Sequence, residues 1–185
     1  KKRKESLSED ISEIEKMISE ILEAERLNSP NGGLKLKSTN LAELMRTVAA
    51  DFDSLSPGIQ TAYLPDECIV LLDPERVQMV IRNLVENAFK YSSLATKPVH
   101  LSLTQTAGHV FLIFKDFGEG NPSEDLPHIF DPFYRVDKSR SRETGGYGLG
   151  MSICKKIVEA HSGKIEIEST DGEGTTVTIN LPSEQ

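Results

Sequence analysis

Leu7, Ile11, Ile14, Ile18 and Ile21 recur at alternating steps of four and three, with Glu9, Glu13, Glu15, Lys16 and Glu20 on the outside. A mean step of ~3.5 residues predicts a helix over 7–27 carrying the seam of a coiled coil or helical bundle, since a straight helix drifts off that period. Met17, Leu22 and Leu27 widen the apolar side, which suits a bundle better than a two-stranded zipper. The alternative is an amphipathic helix lying on its own domain. Asn28-Ser29-Pro30-Asn31-Gly32-Gly33 then carries turn chemistry that stops the helix and sets a boundary.

Beyond that boundary the periodicity alternates between about 2 and 3.6. Residues 34–38 alternate like a short strand, and Asn40 is placed to cap a helix over 41–53. Strands are predicted over 59–64 and 68–72. Asp73-Pro74-Glu75 opens a helix reaching Tyr91, with proline in the first turn where its missing N–H costs least. Residues 99–104 and 110–115 alternate as strands joined through a turn at Gly108. A segment rich in Gly, Pro, Ser and charge fills 116–147, and a helix over 149–160 follows. Strands over 164–169 and 175–181 flank Asp171-Gly172-Glu173-Gly174, a hairpin signal. Helices among mostly hairpin-connected strands point to an α+β two-layer sandwich.

Composition narrows the function classes. Twenty-one Lys and Arg face 29 Asp and Glu, a formal charge of −8, so the chain has no general attraction for nucleic acid or anionic lipid. An anionic ligand needs a local site built against that field. Cys68 and Cys154 stand far apart and match no metal or redox spacing. No apolar run approaches the ~18 residues of a spanning helix, and a cytoplasmic setting is expected.

Three stretches carry candidate chemistry. On the helix after Asp73, Val77, Val80, Ile81, Leu84, Val85 and Ala88 form the core-facing side. Asn83, Asn87 and Lys90 form a narrow stripe beside it, flanked by Tyr91. Two amides offer neutral oxygens to a hard cation, and the lysine offers charge to a phosphate; a merely solvated polar face is the alternative. Asp116-Phe117-Gly118-Glu119-Gly120 follows a strand directly, and an aspartate there accepts from an amino group such as that of adenine, unless the segment is a simple turn. Asp-Phe-Gly is also the magnesium triplet of Ser/Thr/Tyr kinases, but the chain has no His-Arg-Asp. Gly145-Gly146-Tyr147-Gly148-Leu149-Gly150 leads into a helix, where bare N–H groups and the helix dipole favour an anion. Its spacing fits neither a dinucleotide fingerprint nor a P-loop. Between the glycine clusters, residues 135–142 hold Arg135, Lys138, Arg140 and Arg142 against Asp137, the pattern of a mobile lid or of a surface loop without a role.

The order of these pieces resembles the sensor histidine kinases. Asn83-Leu-Val-Glu-Asn87-Ala-Phe-Lys90-Tyr91-Ser is similar to their N box and Asp116-x-Gly118-x-Gly120 to their G1 box. Phe130-Asp-Pro-Phe133-Tyr134-Arg135 is similar to the F box, and Gly146-Tyr-Gly148-Leu149-Gly150-Met to the G2 box. The resemblance covers roughly 34–183. It implies a Bergerat-type α/β sandwich, shared with gyrase, Hsp90 and MutL, as an ATP-binding catalytic domain over 34–185 with a lid over 121–147. Residues 29–33 become a linker, and 1–28 the second helix of a dimerisation bundle.

Carried over residue by residue, the resemblance implies Asn83 and Asn87 at magnesium and triphosphate, with Asn87 the direct ligand of Mg2+. It puts Lys90 and Tyr91 near the phosphates, with Tyr134 and with Arg135 as the catalytic lid cation. Asp116 is expected to bond the adenine amino group, Gly118 and Gly120 to shape the base pocket, and Gly146, Gly148, Leu149 and Gly150 the phosphate side. Phe130 and Phe133 are expected to pack the lid root and meet the bundle. Tyr147 departs from the family, which has a small residue there.

The acceptor histidine of the family lies on a bundle helix, and none of His100, His109, His128 and His161 has that context. His161 closes a helix, where the dipole favours a cation, and all four histidines read most simply as structural. The implied function is therefore transfer of the ATP γ-phosphoryl group to a histidine outside this chain, with no autophosphorylation by the chain alone. The implied partners are ATP and ADP, the acceptor helix, a response-regulator receiver domain and a second copy through the N-terminal helix, in a parent that is an inner-membrane sensor or a soluble one. Another ATPase of the superfamily is the alternative, though Asn83 stands where those place a glutamate base. A non-catalytic nucleotide-binding module is the third reading.

Overall fold

Asn40 and Asp73 start the first two helices beyond residue 33 by accepting bonds from backbone amides left open at a helix start. Asn40 accepts from the Glu43 amide and caps α1, Leu41–Ala50. Asp73 accepts from the Arg76 amide and caps α2, Pro74–Tyr91, with Pro74 in its first turn. Each such cap is worth about 1 kcal/mol. The computed structural model describes residues 11, 14–15, 17–19, 21–23, 25–26, 33–92, 97–136 and 147–183. The strands are β1 (Lys37–Asn40), β2 (Ile59–Tyr63), β3 (Ile69–Leu72), β4 (Val99–Thr106), β5 (His109–Lys115), β6 (Lys164–Thr170) and β7 (Gly174–Pro182). A third helix, α3, spans Gly150–Ala160, and a short 3-10 turn spans Leu126–His128.

Five strands form one mixed sheet in the order β2-β4-β5-β7-β6. β2 runs parallel to β4, and every other pair in the sheet is antiparallel. β1 and β3 pair antiparallel as a separate two-stranded sheet, although α1 and β2 lie between them in sequence. That pairing places Lys37 opposite Leu72, which moves the first strand to 37–40 from the expected 34–38. α1 stops at Ala50 because the Asp51 and Phe52 amides turn back to the carbonyls three residues before them. The alternating buried residues Leu101, Leu103, Leu112, Phe114, Val177 and Ile179 line one face of the large sheet. Ile81, Leu84 and Val85 of α2 and Ile153 and Ile157 of α3 close over it. Each fully buried aliphatic side chain contributes about 1.5–3 kcal/mol.

His161 is structural, as expected, but not as a cation at a helix end. At 4% exposure it is no cation: Nδ1 lies 2.7 Å from the Ile157 carbonyl, and Nε2 accepts from the Asp73 amide at 3.0 Å. One nitrogen donates and the other accepts, so the ring is a neutral tautomer. Burial pushes its pKa below the usual histidine value, against the Ile157 hydrogen bond and the nearby Asp73 charge. Desolvation outweighs the helix dipole here. The ring ties the end of α3 to the start of α2.

The described residues between 11 and 26 are helical. Met17 packs against the core, and buried Glu23 reaches Arg76 Nε at 2.6 Å. One edge of this helix thus lies on the start of α2, while Ile11, Ile14, Ile18 and Ile21 are between 41% and 55% exposed. Leu7 and Leu27 of the expected seam lie outside the described residues. Among the described residues no helix is long and apolar enough to cross a membrane.

Candidate functional site

A cavity of about 400 Å³ opens between α2, the ends of β5 and β7, and the start of α3. α2 contributes Asn83, Asn87, Lys90 and Tyr91, the polar stripe beside its core face. Asn83 is only 8% exposed, and its carboxamide lies 3.7–3.9 Å from where a Cβ on Gly150 would stand. A solvated polar face does not describe such a residue. Lys90 Nζ sits 5.2 Å from the centroid of the Tyr91 ring.

Asp116 closes the far end, directly after β5, and is 7% exposed. Its amide donates to the Thr175 carbonyl at 2.9 Å. Its Oδ1 accepts from the amides of Gly118 at 2.9 Å and Thr175 at 3.2 Å. Burial raises its pKa, and those two backbone bonds pull the other way. One oxygen is committed to the backbone and the other is left for a ligand.

The 116–120 turn needs its glycines for backbone approach. A Cβ on Gly118 would stand 2.0 Å from the Tyr91 carbonyl oxygen, and one on Gly120 2.0 Å from that of Thr170. Gly120 also has φ +70°, where side chains are strained. Neither is among the residues lining the cavity; both act on it through the turn that aims Asp116.

At the other end the cavity meets the start of α3. Leu149, its N-cap residue, makes no side-chain capping bond and is buried beneath the site instead of lining it. Gly148 and Gly150 line the cavity, so the open amides of a helix start face its polar end. Tyr134, Arg135 and Tyr147 also line the cavity. The Tyr134 hydroxyl donates to Asp125, which with the neighbouring carboxylates raises the phenol pKa and turns its polar tip away. Phe130 packs partly on the core, whereas Phe133 is 66% exposed with φ +66°. Gly146 and the basic residues Lys138, Arg140 and Arg142 lie outside the described residues.

The sequence reading missed Asn121 and Thr175, which line the cavity with Asp116, and the apolar walls Phe114, Ile129, Met151, Ile167 and Val177. Thr175 follows the recognised hairpin signal, but only the β5–β7 register, Lys115 opposite Thr176, brings it beside Asp116. Among the described residues no three His, Cys, Asp or Glu cluster as a metal cage. Asn83, Asn87 and Glu86 line the cavity and offer side-chain oxygens, the donor type a hard cation takes.

Residues 72–185 match the family described as "Histidine kinase-, DNA gyrase B-, and HSP90-like ATPase". The chain is 38% identical over 151 residues to the sensor histidine kinase YkoH of Bacillus subtilis, covering 81% of this chain and 32% of that protein. It is 44% identical over 124 residues to the sensor protein kinase WalK of Staphylococcus haemolyticus, covering 65% and 20%. The chain thus spans a third or less of the length of these relatives. The nucleotide-free catalytic domain of the histidine kinase ThkA matches with TM-score 0.68 at 26% identity, covering 81% of this chain and 97% of that one. The Acinetobacter baumannii histidine kinase AdeS, at 18% identity and TM-score 0.79, shares the fold over 98% of this chain and 84% of its own.

Proposed function

The chain belongs to the histidine kinase-, DNA gyrase B- and HSP90-like ATPases, and from that premise we propose that it binds ATP with magnesium and passes the γ-phosphoryl group to a histidine on a helical bundle. Its catalytic domain is of the sensor histidine kinase kind. The observation that carries the reading is the division of labour across the cavity. A buried carboxylate with one uncommitted oxygen stands at one end. The open start of α3 stands beside Asn83 at the other, and Lys90 and Arg135 add positive charge to the wall.

In this reading Asp116 holds the adenine amino group and orients the nucleotide, while the amides at Gly148 and Gly150 cradle the phosphates. Asn87, with Asn83 behind it, is the protein side of the magnesium site, and the ion supplies charge neutralisation to the triphosphate. Lys90 and Arg135 add positive charge where the transition state spreads negative charge over the transferred group. A nitrogen lone pair of the acceptor imidazole attacks the γ-phosphorus, the bond to the β-phosphate oxygen breaks, and ADP leaves. Asn83 carries no carboxylate to activate water, which favours transfer over hydrolysis.

The partners that follow are the acceptor helix, a receiver domain downstream, and a second copy through the exposed isoleucine stripe. Two measurements test the proposal. Calorimetric titration with ADP is expected to show binding that weakens when magnesium is chelated. Labelled ATP with a separate polypeptide carrying the acceptor helix is expected to yield acid-labile, alkali-stable label on that polypeptide and none on this chain. Normal ATP binding without transfer to the supplied helix would favour a non-catalytic module.

A further inference from the structure

The base end of the cavity contains a closed hydrogen-bond cycle outside the motifs described above. The Asn121 amide donates to Ser169 Oγ at 2.8 Å, and its side-chain Nδ2 lies 3.0 Å from Thr175 Oγ1 and 3.3 Å from Ser169 Oγ. Ser169 Oγ lies 2.9 Å from both the Gly174 carbonyl and Thr175 Oγ1.

Counting protons orients every member. The Gly174 carbonyl can only accept, so it takes the single hydroxyl proton of Ser169. Ser169 Oγ is then an acceptor, serving the Asn121 amide and the Thr175 hydroxyl. Thr175 Oγ1, its proton spent on Ser169, accepts from Asn121 Nδ2. The reverse orientation of the Asn121 carboxamide sets two oxygens 3.3 Å apart with no proton between them. It also gives the one Thr175 proton two acceptors. The cycle therefore fixes Nδ2 inward and leaves Oδ1 as the side-chain polar atom of Asn121 outside it, on a residue that lines the cavity. Thr175 couples this device to Asp116, because its own amide donates to Asp116 Oδ1.

We propose that Asn121 is a specificity-determining residue whose Oδ1 accepts the second hydrogen of the base's 6-amino group, the first going to the uncommitted oxygen of Asp116. This deepens the adenine-nucleotide reading and rests on it. With the Thr175 hydroxyl proton held by Ser169, the oxygens of Asp116, Asn121 and Thr175 all serve as acceptors at this end. This end reads a base that donates and repels one that offers a carbonyl at the same position.

The test is a thermodynamic cycle on the whole chain, with ADP and purine riboside diphosphate, which lacks the 6-amino group, as probes in calorimetric titration. The unmodified chain is expected to prefer ADP. Asn121→Leu is expected to weaken ADP by about five- to tenfold and to leave the deletion analogue within twofold. Asn121→Asp keeps an oxygen at this position and should retain the preference, because both probes carry the same phosphates and the added charge cancels in the ratio. Equal weakening of both probes by Asn121→Leu would reduce Asn121 to a strut of the turn and overturn the proposal. A preference lost in Asn121→Asp would overturn it as well. If the unmodified chain binds neither probe, the adenine-nucleotide reading itself fails.

Discussion

Replacing Asp116 with asparagine separates what the carboxylate does for a ligand from what it costs the fold. The isosteric amide can keep Oδ1 on the Gly118 and Thr175 amides, at 2.9 and 3.2 Å in the native chain. Its NH2 then replaces the uncommitted oxygen and meets the amino group of adenine, donor against donor. Turning the amide over restores an acceptor for the base but points the NH2 at two backbone N–H groups. Either arrangement strands a buried donor, so ADP affinity should fall by about 1–3 kcal/mol, or about 5- to 150-fold. Stability should move the other way. Burial raises the Asp116 pKa, so the folded chain holds that proton more tightly than the unfolded chain. The group's contribution to stability is then fullest below the ordinary aspartate range and is lost as pH rises through the raised value. At neutral pH the ionised carboxylate is a cost that asparagine removes. Ligand-free Asp116→Asn should therefore melt at or above the native temperature near pH 7, with the gap closing below about pH 4. Calorimetric titration and thermal melts read both quantities. Unchanged ADP affinity would refute the assignment of Asp116 to the base, and a variant that melts lower at neutral pH would refute the desolvation argument.

His161, buried and neutral with a lowered pKa, should contribute stability that is full above about pH 6.5 and is lost as pH falls through the lowered value. The melting-temperature gap between the native chain and His161→Gln should shrink on acidification; a constant gap would contradict the neutral tautomer. Gly108 and Gly120 both have positive φ, but a Cβ on Gly108 meets nothing while one on Gly120 meets the Thr170 carbonyl at 2.0 Å. In urea melts Gly108→Ala should cost about 1–2 kcal/mol and Gly120→Ala about 1–3 kcal/mol more; equal losses would remove the close-approach argument. Arg76→Met leaves buried Glu23 without its 2.6 Å partner and should cost about 3–5 kcal/mol, most of it recovered by adding Glu23→Leu. No recovery in the double variant would mean that the N-terminal helix is not held on α2 by this pair.

Local sequence signals determined the helices and most strands, because caps, proline placement and apolar period act over a few residues. Asn40 and Asp73 announced α1 and α2, and the 3.6-residue stripe of α2 already separated Val80, Ile81 and Leu84 from Asn83, Asn87 and Lys90. The four box-like motifs placed the nucleotide reading on particular residues for the same reason, since each is a short run on one element. The isoleucine stripe was equally legible, but not that Met17 and Glu23 turn the other edge of that helix onto α2. Tertiary structure alone decided how groups remote in sequence meet. Asp116 and Thr175, 59 residues apart, share a hydrogen bond because β5 and β7 pair in one register. The β6–β7 register, with Ser169 opposite Thr175, closes the Asn121–Ser169–Thr175 cycle. The approach of the 116–120 turn to Tyr91 and Thr170 requires Gly118 and Gly120. His161 shows the limit most directly: a helix C-terminus read locally favours a cation, and the fold buries the ring against the Asp73 amide and makes it neutral. Periodicity and capping are properties of neighbouring residues, whereas burial and pairing belong to the assembled layers, so the sequence determined which elements form and the packing of those elements decided which atoms face the cavity.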